Sequence, residues 1–129
     1  MRLSKSGDGR KSKYLWLIKA SLEIPRKDYI LLNDREVVQI GSFKIESILA
    51  PGHTSGMTAY LVNDKYLFTG DIVSLQDGKI APIPAFFDMD RKQAIESIER
   101  VRNISSAEYI FTSHWGYTAD YQRAVQKNN

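Results

Sequence analysis

The chain has 129 residues, 43% of them hydrophobic and 26% charged, with a formal net charge of +3 and no cysteine. That length suits one ordinary domain with its own core. The lack of thiols excludes a disulfide framework, a thiolate metal cluster and a cysteine nucleophile, so any transition-metal site must draw on His, Asp or Glu, and only two histidines exist.

The positive charge is concentrated at one end. Arg2, Lys5, Arg10, Lys11 and Lys13 stand against Asp8 alone, which leaves the rest of the chain close to neutral. Residues 1–13 therefore read as a basic flexible tail, and with no aromatic residue before Tyr14 they make a poor nucleic-acid contact. No run approaches the ~18 consecutive apolar residues of a membrane span, and Met1 to Ser12 is too polar for a secretory signal. The expectation is a soluble, cytoplasmic protein whose single domain covers residues 14–129.

Tyr14 to Ile18 is an apolar run of strand length, followed by a polar connection around Pro25-Arg26-Lys27-Asp28. Glu36 to Ile40 and Phe43 to Leu49 flank Gly41-Ser42 and predict a hairpin with positive φ at the glycine. Met57 to Val62 and Tyr66 to Thr69 flank Asn63-Asp64-Lys65 and predict a second one. From Asp88 to about Asn103 the pattern turns helical, with Ala94, Ile95, Ile98 and Val101 on one face and Asp88 or Asp90 as the N-cap. A short strand over Glu108 to Thr112 and a last helix over Ala119 to Lys127 complete the series. Strands, helix, strand and helix in this order predict a mixed α/β (α+β) sandwich or half-sandwich.

Three side chains hold equivalent places in this scheme, each in a loop beside a predicted strand. His53 lies in Pro51-Gly52-His53-Thr54-Ser55-Gly56, Asp71 follows Phe68-Thr69-Gly70, and His114 follows the strand ending at Thr112. Were those strand ends to line one edge, two imidazoles and a carboxylate would converge, chemistry that suits zinc, iron or manganese. Taken singly, each has a plainer reading as a hydrogen-bonded loop histidine or a turn-forming aspartate.

The order Ala50-Pro51-Gly52-His53-Thr54-Ser55-Gly56, then Leu67-Phe68-Thr69-Gly70-Asp71, then a helix with Glu96-Ser97-Ile98, then Ser113-His114-Trp115-Gly116 resembles the second part of metallo-β-lactamase-fold hydrolases, from about Ile40 to Tyr121. The resemblance implies the C-terminal half of an αβ/βα sandwich, antiparallel hairpins with helices on one face. It also implies that His53 completes a first metal site, that Asp71 bridges two metals, and that His114 belongs to the second. Ser113 and Trp115 stand where the family commonly has glycines.

The family's upstream HxHxDH motif has no counterpart, since the two histidines are His53 and His114. Each metal would keep two ligands from this chain, fewer than the three protein ligands usual for catalytic zinc. The expectation is an incomplete metal-dependent hydrolase of the ester, thioester, lactam or phosphodiester class, with weak or incomplete zinc binding and little activity alone. It would be a fragment of a longer hydrolase whose N-terminal half is missing, a homo-oligomer, or a chain that docks on another polypeptide. The alternative is a non-catalytic interaction module that kept the fold. Pro82, Pro84, Phe86 and Phe87 read as a loop packed on its own domain rather than as binding residues.

Overall fold

A computed structural model describes residues 29–127. The basic tail, the Tyr14–Ile18 strand and the Pro25–Asp28 connection lie outside the described residues. By its internal contacts the chain divides at Leu31, and every element named below belongs to residues 32–129.

Local turn chemistry sets the strands. β1 (Val37–Ile40) and β2 (Phe43–Leu49) pair antiparallel across Gly41-Ser42, where Gly41 takes φ +58°. β3 (Thr58–Val62) and β4 (Tyr66–Gly70) turn at Asn63 and Asp64, both at positive φ, which short polar side chains tolerate. A third hairpin, β5 (Ser74–Gln76) and β6 (Lys79–Ala81), was not expected. Its Asp77-Gly78 turn, with φ 51° and 75°, is the two-residue type that suits twisted strands. β7 (Tyr109–Thr112) adds parallel to β4, and a two-residue β8 (Tyr117–Thr118) folds back on β7. The main sheet has the order β1-β2-β3-β4-β7-β8.

Period-two alternation gives this sheet two unlike faces. Ala59, Leu61, Leu67 and Ile110 are buried in one cluster with Ile98 and Val101 of α1 (Arg91–Arg102), which covers that side. On the other side Tyr60, Phe68, Phe111 and Tyr117 form a row across four strands, with stacked rings at Phe68–Phe111 and Phe111–Tyr117. Tyr60, Phe68 and Tyr117 remain exposed.

The helix differs from expectation in two details. Asp90 is the N-cap, accepting from the Gln93 N–H at 3.0 Å, which leaves Asp88 another role. Ile95 is exposed and Ser97 is buried instead, because the helix turns its Ser97 hydroxyl to the carbonyl of Pro51 at 2.6 Å. Arg100 donates from Nη2 to both carboxylate oxygens of Asp34 and holds that carboxyl below the usual range. The last helix, α2, shrinks to Tyr121–Ala124, one turn anchored by the buried Tyr121. The Tyr121 hydroxyl donates to the Val101 carbonyl and accepts from the Ile104 N–H, and burial pushes its pKa up. Among the described residues no helix is long and apolar enough to cross a membrane.

The β2–β3 loop meets the start of α1 at Gly52. Its backbone sits at φ +140°, and a Cβ there would fall 2.2 Å from the Ala94 nitrogen. The Asp90 N–H donates to the Gly52 carbonyl at 2.9 Å and the Met89 N–H to that of His53 at 3.3 Å. Gly52→Ala should therefore destabilise the fold by about 2 kcal/mol or more, from backbone strain and forced overpacking together. Urea unfolding of the two proteins measures this; an equal midpoint would mean that the helix does not rest on this loop.

Candidate functional site

Strand direction decides where the loop residues land. β4 and β7 run parallel, so their C-terminal ends share one edge, and Gly70 is the register partner of Thr112 there. β2 and β3 are antiparallel to each other, as are β3 and β4, so the β2–β3 connection returns to that same edge. His53, Asp71 and His114 all leave the sheet at this point. The convergence posed by the sequence is thus met by topology.

Each side chain is aimed by local structure. Gly70, at φ +58°, turns the chain so that Asp71 follows a sharp exit from β4, and its carbonyl accepts from the Ser113 N–H at 3.1 Å. The 113–116 loop is closed by Thr112, whose hydroxyl accepts from the Trp115 N–H and donates to the Gly116 carbonyl, each at 2.9 Å. The result is two contacts on one carboxylate. Asp71 Oδ2 lies 3.8 Å from His53 Nε2, and Asp71 Oδ1 lies 3.4 Å from His114 Nε2.

These separations exceed an ordinary N–H···O hydrogen bond. Zinc bonds near 2.0–2.2 Å at the tetrahedral angle would hold two ligand atoms roughly 3.3–3.5 Å apart. The donors suit a metal in type, as two half-sites that share Asp71; the His114–Asp71 spacing falls within that range and the His53–Asp71 spacing is wider. In number they fall short: among the described residues no group of three or more His, Cys, Asp or Glu forms a metal cage. His114 is also 73% exposed, against 22% for His53, so the second half-site lies more open.

Beside the trio lies a cavity of about 480 Å³ lined by His53, Asp71, His114, Ile83, Pro84, Phe87 and Trp115. The loop that reads from sequence as packed on its own domain contributes Pro84 and Phe87 to this wall; Phe87 is half exposed. Asp88, weighed in the sequence only as a helix cap, lies 3.8 Å from His53 Nδ1 through its Oδ1, and its other oxygen accepts from Arg91 at 2.7 Å. The only sequence signal for these residues was position, between Asp71 and the helix.

No protein-family model matches the chain. It is 49% identical over 47 residues to a "probable polyketide biosynthesis zinc-dependent hydrolase" of Bacillus velezensis, covering 36% of this chain and 20% of that protein. It is 33% identical over 73 residues to a "probable metallo-hydrolase" of Methanocaldococcus jannaschii, covering 57% and 34% respectively. The chain thus spans about a third or less of the length of these relatives. Among solved structures, an archaeal metallo-β-lactamase superfamily protein from Sulfolobus tokodaii superposes with a TM-score of 0.54 and 25% identity, over 70% of this chain and 34% of the other.

Thr112→Val removes the hydroxyl that closes the His114 loop while keeping its shape. At about 1 kcal/mol for a lost hydrogen bond, the Trp115 amide should exchange its hydrogen several-fold faster, with the amides of β4 and β7 unchanged. Equal Trp115 exchange in both proteins would show that the hydroxyl does not hold this loop.

Proposed function

Since the described residues form part of a metallo-β-lactamase fold, we propose that this chain supplies the His53, Asp71 and His114 portion of a metal-dependent hydrolase site. The observation that carries the reading is the single carboxylate of Asp71 with one oxygen toward each imidazole Nε2, at 3.8 and 3.4 Å. Zinc bound there supplies Lewis acidity for hydrolysis of an ester, thioester, lactam or phosphodiester bond. The chain's own residues do the rest: both imidazoles offer Nε2 lone pairs, and Asp71 gives one oxygen to each half-site. Ile83, Pro84, Phe87 and Trp115 keep water from one side of the cavity and favour an apolar portion of the substrate.

The remaining ligands come from outside the trio, contributed by an N-terminal half or by a second copy of the chain. Supporting this is the exposed row of Tyr60, Phe68 and Tyr117, an apolar sheet face of the kind that pairs with another surface. The same row favours the second reading, a non-catalytic interaction module on this fold. A cytoplasmic location goes with either.

Metal binding separates the two. The 129-residue chain, purified without chelator and titrated with zinc, should bind it weakly and lose it on dialysis against chelator. Asp71→Ala should abolish binding, because it takes a ligand from both half-sites at once, whereas His53→Ala and His114→Ala should each weaken it about tenfold or more. A chain that takes up no zinc, iron or manganese at any concentration is the module.

A further inference from the structure

We infer that Asp88 is a positioning residue for His53: its buried carboxylate accepts a hydrogen bond from the Nδ1–H of the imidazole and so presents the Nε2 lone pair toward Asp71. The consequence for metal rests on the reading above, but the geometry stands on its own.

Four observations meet at this contact. The Asp88 side chain is 1% exposed, unusual for a carboxylate. Its Oδ1 and the Nδ1 of His53 are both buried without a hydrogen-bond partner, and they lie 3.8 Å apart. Two unpaired buried polar atoms facing each other are unfavourable, and a shift of roughly 1 Å, to ordinary hydrogen-bond length, satisfies both. The other oxygen of Asp88 is already held by Arg91 Nη1 at 2.7 Å, and that nitrogen also donates to the Ile83 carbonyl at 2.9 Å. Arg91 thus fixes the carboxylate with Oδ1 left for the imidazole. The backbone keeps the two residues adjacent as well, since the amides of Met89 and Asp90 donate to the carbonyls of His53 and Gly52.

His53 therefore lies between two carboxylates, Asp88 at Nδ1 and Asp71 at Nε2. A neutral imidazole has one N–H to give. Placing it on the Asp88 side leaves the Nε2 lone pair free on the Asp71 side, where the proposed metal would bind. Carboxylates that take the second ring N–H of a ligating histidine orient the ring, and their loss typically costs 10–100-fold in metal affinity.

The test uses the full chain labelled with ¹⁵N-histidine. With two histidines in the sequence, His114→Ala assigns both rings. At a pH alkaline enough to keep both rings neutral and without metal, His53 should be protonated at Nδ1, and Asp88→Ala should move the proton to Nε2 or mix the forms. Cobalt(II) absorption should then show a 10–100-fold loss of affinity in Asp88→Ala and a smaller one in Asp88→Asn. In a His53→Ala background Asp88→Ala should cost nothing further. Should the alanine variant lose its fold by circular dichroism, Asp88→Leu, of nearly the same shape and with no acceptor, carries both measurements. A wild-type ring protonated at Nε2, or folded variants with the wild-type tautomer and affinity within twofold, overturns the inference. A chain that binds no cobalt refutes the proposed metal site, while the tautomer still decides the role of Asp88.

Discussion

The site depends on one close approach, the backbone of Gly52 against the first turn of α1. With no side chain on Gly52, the helix start can come within 2.2 Å of where a Cβ would be. That approach does two things. It lets Ser97 reach the Pro51 carbonyl and the amides of residues 89 and 90 reach the loop carbonyls, so the His53 loop is held on three sides. It also brings the segment between the 3₁₀ turn Ala85–Phe87 and α1 against the imidazole, which puts Asp88 behind His53 and Phe87 in front of the cavity. A larger residue at position 52 would push both apart.

The other two site residues are placed by a different device. The parallel β4–β7 pair, linked through the α1 crossover, puts two strand exits side by side, and the Ser113 amide bonds across to Gly70. Asp71 and His114 are thus tied to a rigid sheet edge, while His53 hangs on a loop clamped by a helix. Such sites are held more firmly by their supporting contacts than by their own packing. The unequal exposure of the two histidines follows: the clamped one is mostly covered and the one on the short β7–β8 loop is open.

Much of this was legible in the sequence wherever a local rule acts. Gly41, Asn63 and Asp64 marked their turns because positive φ is costly for other residues, and the structure places them there. The trio could be named from the loops that hold it. What local rules do not carry is pairing: nothing in Glu108 to Thr112 says that this strand lies beside β4, and that pairing creates the site. Asp77-Gly78 is a strong hairpin signal, but its flanking strands have only three residues each, too few to show period-two alternation in the sequence. Ile95 and Ser97 exchanged roles because a buried hydroxyl found a carbonyl on a distant loop, a tertiary contact that overrides amphipathic spacing. The role of Asp88 is hidden for a similar reason: a carboxylate just before a helix reads as its cap, and only the fold decides that Asp90 does that work while Asp88 is buried beside His53.

Under the proposed reading two features of the described unit are coupled: the half-sites that await further donors, and the row in which Tyr60, Phe68 and Tyr117 are exposed. If one partner surface answers both needs, the two equilibria cannot be independent: metal that binds the completed site better than the separate chain strengthens association, and association strengthens metal binding by the same factor. The more weakly the chain alone holds metal, the larger that factor becomes. A half-site built from rigid, preoriented donors would then be poor at holding metal by itself and effective once joined, because the cost of arranging His53 against Asp71 and Asp88 is already met within the fold.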